Sequence, residues 1–443
     1  MDIKVVIGAN YGDEGKGLVT NLLTRQAKDK GDKVLVVIGN GGPQRGHTVL
    51  NNGIRHIFHH FGSGSLSGAD TYMDKTFMIN PIVFAEEYKE LKSKIAQVSF
   101  PAIYAHIDCL VTTPYDMIIN QVTSSYFGFH NSCGLGIWET YKRRKITDQT
   151  KTLGWFIRKI WTGKEKDIYT YLMTRYNSLK DDVITSSGRI FLETPEIDLT
   201  SFNPDKTIDI YLSEFLDGID NWGLIKHWVE DMKTFISSIH LVNDDSDIYY
   251  DEVHSNIRES IFLKQYNTII IEQGQGLLLD RDYDKVYGTP GKTNASSAMS
   301  LIARYNKCHI WNSLDIDFCY VTRSYLTRHG DGPMSGNPIQ IPDEDKTNIP
   351  NPWQGSIKCA ELNFREVFQR IDADITYPDS FEKNLSGVLM SGGKHLFITH
   401  SGVLSEFNKN YIAELKEDFN YWHIKTSFIS KEDCNDILKE DIK

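Results

Sequence analysis

The stretch Gly8-Ala-Asn-Tyr-Gly-Asp-Glu-Gly-Lys-Gly17 decides the fold that we expect for this chain. It follows an apolar run at residues 3–7, which is typical of a buried strand rich in β-branched side chains. It precedes residues 18–23, whose apolar spacing is typical of one face of a helix. A glycine-rich turn between a strand and a helix lets backbone N–H groups approach an anion, and the helix N-terminus adds its positive end. The stretch therefore predicts a phosphate-binding turn, although a tight connection without a ligand has the same glycine pattern.

Three charged residues inside this turn indicate chemistry as well as binding. Lys16 stands where an ammonium group can reach a phosphate. Asp13 and Glu14 are unusual there, because a carboxylate repels phosphate unless a metal ion or a proton lies between them. The turn lacks the Gly-Lys-Ser/Thr ending of a P-loop and does not match the dinucleotide-binding fingerprint. An unrelated P-loop kinase is therefore disfavoured.

A second glycine-rich turn follows the next apolar run. Its sequence, Asn-Gly-Gly-Pro-Gln-Arg-Gly-His-Thr at residues 40–48, comes directly after a predicted strand at residues 33–39. We expect the two strands to be parallel neighbours, so that both turns lie at the carboxyl edge of the sheet, where α/β proteins bind ligands. Taken alone, Asp13 could be a simple turn carboxylate, and His47 could be a helix cap or a core histidine.

Composition excludes several classes of protein. The chain has 443 residues, of which 40% are hydrophobic and 24% charged, enough for a large core. A net charge of −11 disfavours nucleic-acid binding, which requires a basic face. The six cysteines form no C-x-x-C pair, so we expect reduced thiols. No apolar run approaches the roughly 18 residues that span a bilayer, and no signal peptide is evident. We expect a soluble, cytoplasmic protein without membrane contact.

The order of strand and helix patterns predicts an α/β fold, with a central, largely parallel twisted sheet flanked by helices. In the first part of the chain we expect a helix over residues 81–98 and a strand over residues 101–107. Further strand patterns occur at residues 268–271, 318–321 and 395–398.

We expect residues 1–443 to form a single elaborated domain. Residues from about 140 to 260 are rich in aromatic side chains and predict a mainly helical insertion that packs against the sheet. Residues from about 331 to 360 are rich in Pro, Gly, Asp and Asn and predict a long substrate loop.

Four segments together resemble the adenylosuccinate synthetase family. They are Gly-Asp-Glu-Gly-Lys-Gly at residues 12–17, Gly-His-Thr at 46–48, Glu-Gln-Gly-Gln-Gly at 272–276 and Thr-Arg-His-Gly-Asp-Gly-Pro at 327–333. They occur in the order of the family and extend over most of the chain, so the joint match is more specific than any one motif. The resemblance implies an enzyme that joins L-aspartate to C6 of a 6-oxopurine nucleotide, driven by a nucleoside triphosphate.

The resemblance also implies roles for the residues of the two turns. Asp13 is expected to be the base that removes the purine N1 proton and a ligand of Mg²⁺, with the Gly46 carbonyl as a second metal ligand. O6 then attacks the γ-phosphate, and the aspartate amine displaces phosphate from the 6-phosphoryl intermediate. His47 is expected to be the acid that helps the oxygen to leave. General acid–base help of this kind contributes about 10²–10⁴-fold per group.

Other residues match binding positions of the family. Those expected to contact nucleotide or phosphate are Gly12, Glu14, Gly15, Lys16, Gly17, Gln44, Thr48, Ser132, Cys133, Gln275 and Thr289. Those expected to bind L-aspartate are Trp353, Gln354, Gly355, Ser356 and Lys358. Those expected near the base of the phosphoryl donor are Thr399, His400 and Gly402. Asp280 follows one of the matching segments, but it fits a buried structural acid as well as a ligand-binding residue, so it is not assigned to the site.

Several residues depart from the family pattern. The aspartate-binding loop normally carries several arginines, whereas residues 351–358 contain one cation, so Arg323, Arg328 or a partner subunit would have to compensate. The guanine-reading Thr-Lys-Leu-Asp appears as Thr-His-Ser-Gly at residues 399–402, which makes ATP an alternative to GTP as donor. These departures resemble the bacteriophage branch of the family, which makes a 2-aminoadenylosuccinate from dGMP, aspartate and ATP. Against that branch, the chain keeps Asp13, so the acceptor stays open between IMP and dGMP.

The resemblance implies a homodimer in which the partner lends an arginine. The expected position of that arginine falls near Arg143 and Arg144. Because the loop at residues 351–358 contains a single cation, an alternative function stays open: a catalytically weak nucleotide-binding homologue that acts as a sensor.

Overall fold

One large sheet, with its carboxyl edge lined by turns, organises the structure, which is a computed structural model. The structure describes residues 1–95, 100–127, 133–146, 151–186, 222–244, 257–283, 288–330, 332–340, 356–375, 385, 387–400 and 424–429.

Strands in the described residues form the large sheet and three small two-stranded ladders. In chain order they are β1 (Asp2–Gly8), β2 (Val34–Ile38), β3 (His47–Asn51), β4 (Ile54–Phe58), β5 (Asp70–Met73), β6 (Met78–Ile79), β7 (Ile103–His106), β8 (Leu110–Val111), β9 (His240–Asn243), β10 (Ile257–Arg258), β11 (Thr268–Gly276), β12 (Ser313–Arg323), β13 (Leu326–His329), β14 (Ile357–Ala360), β15 (Leu389–Ser391), β16 (Lys394–Thr399) and β17 (Ile424–Ile429).

Helices connect these strands and cover both faces of the sheet. They are α1 (Lys16–Asp29), α2 (Pro81–Lys94), α3 (Pro114–Phe127), α4 (Ile137–Ile146), α5 (Leu153–Trp161), α6 (Glu165–Ser186), α7 (Trp222–Ser237), α8 (Glu259–Leu263), α9 (Ala295–Tyr305) and α10 (Phe364–Ile375).

The large sheet confirms the predicted fold class and corrects the predicted strand order. Its strands follow the order β10-β9-β7-β5-β2-β11-β1-β12-β16-β17, with β15 also paired to β12, and the pairings are parallel. The prediction that β1 and β2 are neighbours was wrong, because β11 lies between them and pairs with both. Hydrophobic periodicity identifies strands but does not determine which later strand enters the sheet beside an earlier one.

Alternating side chains of the central strands pack into two separate cores on opposite faces of the sheet. Val6, Val36 and Ile270 face the core that α1, α2 and α7 cover. Val5 and Ile271 face the opposite core, which α8, α9 and α10 cover. The strands read as continuous apolar runs because parallel sheets are buried on both faces.

Predicted elements agree with the structure in type, and their bounds shift by a few residues. The helix predicted over 81–98 is α2, which begins at Pro81 after the Asn80 cap and ends at Lys94; residues 96–99 lie outside the described residues. The strand predicted over 101–107 is β7. The predicted insertion contains α5, α6 and α7, and also β9 and β10, which extend the sheet.

The described residues bear on two further expectations. No helix among them is long and apolar enough to cross a bilayer. None of the five cysteines in the described part of the chain takes part in a disulfide. The single-domain organisation stays a prediction.

A buried carboxyl group on α7 gives the fold a pH-dependent stability. Burial, together with the nearby carboxylates of Glu86 and Glu230, raises the pKa of Asp231 to about 8. Its Oδ2 is buried without a hydrogen-bond partner and lies 3.4 Å from Nε2 of His227. Because the pKa is raised in the folded state, the folded protein binds this proton more tightly, and stability falls as pH rises toward 8.

We expect Asp231→Asn to stabilise the protein increasingly between pH 5 and pH 8, because the amide cannot ionise. The gain over three pH units is at most about 4 kcal/mol, at about 1.4 kcal/mol per pKa unit. Urea unfolding at both pH values measures it, and Asp29→Asn on the exposed face of α1 is the control. An equal stability difference at pH 5 and pH 8 would contradict the assignment.

Candidate nucleotide site

The first glycine-rich turn adopts an unusual backbone conformation at the start of α1. Gly12, Asp13 and Gly15 all have positive φ values, of 97°, 58° and 93°. Asp13 is not a glycine, so its left-handed conformation carries a steric cost of order 1 kcal/mol that surrounding contacts must offset. Lys16 is then the first residue of α1, and its side chain is buried. The turn therefore places the helix N-terminus and a lysine where the sequence predicts phosphate.

The two carboxylates of this turn differ in their surroundings. Glu14 is buried, accepts a hydrogen bond from the backbone N–H of Asn10 at 2.5 Å, and lies 3.3 Å from the Lys16 ammonium. A Cβ on Gly8 would lie 1.9 Å from a Glu14 carboxylate oxygen, so only glycine leaves room for it. Burial raises the pKa of Glu14, and Lys16 and backbone N–H groups offset part of this effect. Asp13 is partly exposed. Glu14 thus supports the turn from inside, while Asp13 is the carboxylate that a ligand can reach.

The second turn packs directly against the start of α1. A Cβ on Gly17 would lie 3.0 Å from the Cβ of His47, 3.1 Å from the hydroxyl of Ser63 and 3.2 Å from the Thr48 carbonyl. Gly17 therefore permits this close approach because it has no side chain. The two turns meet although their strands are not neighbours.

Glu272, in the middle of β11, joins the two turns. Its Oε1 accepts from His47 Nδ1 at 2.7 Å and from the Ser63 hydroxyl. Its Oε2 accepts from Arg45 Nη2 at 2.5 Å and from the Ser63 backbone N–H at 3.1 Å. All of these side chains are buried. One carboxylate therefore fixes the position of an imidazole and a guanidinium from the second turn.

The charges around Glu272 determine the protonation state of His47. Burial alone would raise the pKa of Glu272, but Arg45, His47 and Ser63 bring it below its usual range, so the carboxylate is ionised. Burial and the Arg45 charge lower the pKa of His47 to about 4, against a smaller opposite effect of Glu272. The imidazole is therefore neutral at pH 7, with its Nδ1 proton donated to Glu272. Its Nε2 then carries a lone pair, and this atom is buried without a hydrogen-bond partner.

Two glutamines complete the polar lining between the turns. Both polar atoms of the Gln44 carboxamide are buried without a hydrogen-bond partner, beside Gly41 and Gly42. The Gln275 side chain faces the first turn, since its Oε1 would lie 3.8 Å from a Cβ on Gly12. The ladder between β1 and β11 shifts register just before Gly276, which re-aims these side chains as bulges near sites often do. The buried carboxamide of Gln44, which has no hydrogen-bond partner, favours a polar ligand at this place.

The segment before α4 and the loop of Thr289 contain further residues predicted to contact nucleotide or phosphate. Ile137, at the start of α4, fills the space over Gly42, and Cys133 precedes this helix through a glycine turn. Ser132 lies outside the described residues. The Thr289 hydroxyl donates to the Leu279 carbonyl at 3.2 Å within its own loop. Asp280 accepts from the Thr293 and Asp282 backbone N–H groups, as a structural acid does.

Arg143 is bound inside its own chain. Its guanidinium donates to both oxygens of Asp116, at 3.2 and 2.9 Å, to the Val111 carbonyl at 2.8 Å and to the Tyr171 hydroxyl at 2.8 Å. The side chain is buried, so Arg143 is not an arginine that reaches a neighbouring subunit. The side chain of Arg144 lies outside the described residues.

The predicted aspartate-binding and donor-base residues are only partly described. The described residues do not include Trp353, Gln354, Gly355 and Gly402. Ser356 is exposed. Lys358 is the backbone partner of Arg328 in the antiparallel ladder of β13 and β14. Arg328 lies over the Tyr11 ring, 4.7 Å from its centroid, and Arg323 donates to the Asp13 carbonyl. Both arginines thus contact the first turn. His400 follows Thr399 with a φ of 56° and lies edge-on to Tyr325.

Mg²⁺ prefers hard oxygen ligands, and the Asp13 carboxylate and the Gly46 carbonyl are ligands of this kind. A different group, His106, Asp108 and Asp244, brings its possible ligand atoms within 4.8 Å of one another in the described part of the chain. Its Asp244 carboxylate, however, already binds the Lys75 ammonium at 3.0 Å. The partly exposed Asp13 carboxylate is therefore the better candidate for a cation that arrives with a nucleotide.

Sequence reasoning missed Arg45, Ser63 and Glu272 as members of the site. Glu272 belongs to one of the matching segments, but the sequence alone assigns it no role. A glutamate that directly follows the apolar residues Ile269–Ile271 of a strand is itself a signal of a paired buried charge. Arg45 inside a glycine turn is a similar signal. Neither residue reveals its partner before the strand order is known.

We expect Glu272→Gln to destabilise the protein by about 3 kcal/mol or more, because it leaves the buried Arg45 charge without its partner. The double variant Arg45→Met/Glu272→Gln removes both charges and should recover part of this loss. Urea unfolding measures both effects, with Glu90→Gln on the exposed face of α2 as the control. Equal destabilisation by the single and the double variant would contradict the role of the pair.

Comparisons with known sequences agree with the motifs. Residues 5–188 match the model of the family described as adenylosuccinate synthetase. An adenylosuccinate synthetase of Legionella pneumophila (strain Paris) is 24% identical over 347 residues, which cover 77% of this chain and 65% of that protein. One from Synechocystis is 33% identical over 140 residues, 31% of this chain and 30% of that protein. The match thus spans just under two thirds of the Legionella protein and a smaller part of the Synechocystis protein.

Two solved structures share the fold. A fully ligated adenylosuccinate synthetase from Plasmodium falciparum aligns with 91% of this chain and 77% of its own, with a TM-score of 0.58 and 16% identity. The succinoaminodeoxyadenylate synthetase of cyanophage S-2L, bound to dGMP and to dATP as an energy donor, aligns with 99% of this chain and 95% of its own, with a TM-score of 0.57 and 12% identity. Residues 5–188 are thus similar to the adenylosuccinate synthetase family, and the chain shares its fold with these two solved structures.

Proposed function

We propose that this protein is a ligase that joins L-aspartate to C6 of a 6-oxopurine nucleotide through a 6-phosphoryl intermediate. The observation that carries the proposal is the group of buried, unpartnered polar atoms between the two turns. They are the Nε2 of His47 and the carboxamide of Gln44, and they lie beside a turn with Lys16 at the start of α1. A purine monophosphate and the phosphates of a donor supply the polar groups that such a site lacks.

Asp13 is the proposed base. Its carboxylate takes the N1 proton of the purine, which leaves O6 as a nucleophile. O6 bonds to the γ-phosphorus of the donor as the bond between the β,γ-bridging oxygen and that phosphorus breaks, which yields the nucleoside diphosphate. The partial exposure of Asp13 supports this role, because the group must contact a bound ring, whereas Glu14 is buried within the turn.

His47 is the proposed acid of the second step. The aspartate amine bonds to C6, the C6–O6 bond breaks, and phosphate leaves with help from a proton at Nε2 of His47. Because the imidazole of the ligand-free protein is neutral, its proton has to arrive when negative charge binds beside Nε2, since an adjacent anion raises the pKa of a histidine. Glu272 holds Nδ1 and so orients the ring.

Asp13 and the Gly46 carbonyl are the proposed ligands of Mg²⁺. When bound, this ion neutralises charge on the transferring phosphoryl group. The turn itself contributes Lys16 and the N-terminus of α1, which bind phosphate oxygens whether or not the cation is present.

The acceptor is proposed to be IMP or dGMP and the donor ATP or GTP. The loss of the guanine-reading aspartate near Thr399 and His400 favours an adenine donor, and the phage structure of similar fold holds dATP as its energy donor. A homodimer is proposed from the family resemblance. Arg143 does not supply an arginine to the partner, because it is bound to Asp116 within its own chain.

A substrate matrix tests the function. We expect L-aspartate with IMP, GMP or dGMP and with ATP, dATP or GTP to release phosphate in at least one combination, and the product mass to equal the acceptor plus aspartate less water. Adenine donors should exceed GTP in rate. Nucleotide binding by calorimetry without turnover in any combination would contradict the ligase and support the sensor.

We expect Asp13→Asn and His47→Asn each to lower kcat by about 10²–10⁴-fold, because each removes one acid–base group. Asp29→Asn and His309→Asn are matched controls, since both side chains are exposed and asparagine tolerates the left-handed backbone of His309. Steady-state kinetics with the best substrate pair measure the effect. A variant at Asp13 or His47 with more than a tenth of the original kcat would contradict the role of that residue.

A further inference from the structure

Three consecutive carbonyl groups of the first turn accept hydrogen bonds from side chains of other strands. The Gly12 carbonyl accepts from the Thr327 hydroxyl at 2.9 Å, and the Glu14 carbonyl accepts from the Thr399 hydroxyl at 2.7 Å. Between them, the Asp13 carbonyl accepts from Nε of Arg323. Each of these three carbonyl groups is therefore held by a side-chain hydrogen bond, and the donor at Asp13 is the charged one.

The Asp13 contact lies where the backbone most needs support. Asp13 has a φ of 58°, which non-glycine residues rarely adopt, and it lies between two glycines with φ values of 97° and 93°, one residue before and two after. A residue in this region keeps its conformation when surrounding contacts over-determine it. A hydrogen bond from a guanidinium is among the stronger contacts available, because the donor is ionised. Arg323 therefore acts on the conformation that aims the Asp13 carboxylate.

Arg323 is itself held in place by Tyr325. Its Nη1 donates to the Tyr325 hydroxyl at 2.9 Å, and the guanidinium carbon lies 5.5 Å from the centre of the same ring. The Tyr325 ring in turn meets the His400 ring edge-on, with centroids 6.1 Å apart. The chain of contacts thus runs from the proposed donor-base region through Tyr325 and Arg323 to the carbonyl of Asp13.

We propose that Arg323 is a positioning residue that holds the Asp13 carboxylate in its working direction, with Tyr325 aligning the guanidinium. The inference rests on the proposed function, since Asp13 is there the base. It also assigns Arg323 a different task from the compensation for missing aspartate-binding arginines that the sequence allows. Arg323 contacts the backbone of the proposed base, and this contact is the basis of the role assigned to it.

Arg323→Met tests the proposal, because methionine keeps much of the length and has no donor. We expect kcat to fall by about 10–100-fold, since misplacing a reacting group by about 1 Å costs up to this much. The KM of both nucleotides and the calorimetric affinity for the donor should change less than threefold. Arg323→Lys, which keeps a charged donor, should recover part of kcat. Arg365→Met, on the exposed face of α10, is the matched control.

Two results would overturn the proposal. One is a kcat of Arg323→Met within threefold of the original. The other is a fall in donor affinity as large as the fall in kcat, which would make Arg323 a nucleotide ligand instead. If Arg323→Met does not fold, Tyr325→Phe replaces it, because this change removes only the hydroxyl that accepts from Nη1. We then expect a smaller loss of kcat, about threefold to tenfold, again with unchanged donor affinity.

Amide hydrogen exchange separates this inference from the proposed function. If the unaltered protein turns over no substrate pair, the proposed function fails, and the positioning role is then measured on a peptide covering residues 9–18. Its amides should exchange at least tenfold faster in Arg323→Met than in Arg365→Met, because the turn has lost one of the three side-chain hydrogen bonds to its carbonyl groups. Equal exchange in the two variants would overturn the positioning role.

Discussion

The buried carboxylate of Glu272 is the constraint on which the candidate site depends. It lies on β11, flanked by Val6 of β1 and Ile38 of β2, so the strands that carry the two turns are separated by a third. Its oxygens bind His47 and Arg45 and so hold the second turn against α1. A carboxylate keeps such a buried place only when its partners compensate for lost water, which ties the integrity of the core to the geometry of the site.

The first turn is held from outside rather than by its own sequence preferences. Besides the three carbonyl contacts of residues 12–14, Arg370 of α10 donates to the Ala9 carbonyl at 2.8 Å and to the Asn10 side chain at 2.6 Å. Asn10 also donates to the Thr322 hydroxyl at 2.8 Å. A turn that is fixed before a ligand arrives loses little conformational freedom on binding, so more of the binding free energy remains for the reacting groups.

The sequence was sufficient to predict the parallel α/β fold, the first turn and the strands at 268–271, 318–321 and 395–398, because apolar periodicity and glycine turns are local properties. It was not sufficient for the position of β11 between β1 and β2, since strand order depends on crossovers. Arg45 and Glu272 were missed for the same reason: the two residues of a buried pair are 227 positions apart. The resemblance supplied Asp13 and His47 as a pair, whereas their surroundings came only from the structure.

Arg45 opposes the rise in pKa that a histidine usually shows beside a carboxylate. Where an imidazole alone faces a buried carboxylate, the proton on the imidazole balances the charge, and the pKa of the histidine rises. Here Arg45 is a permanent cation on the same carboxylate, so Glu272 is already neutralised and burial lowers the pKa of His47 instead. The ligand-free site therefore keeps an unprotonated Nε2 on a histidine that packs against the first turn. In the proposed reaction, charge brought by a ligand, and not the resting protein, then decides when this imidazole takes up a proton.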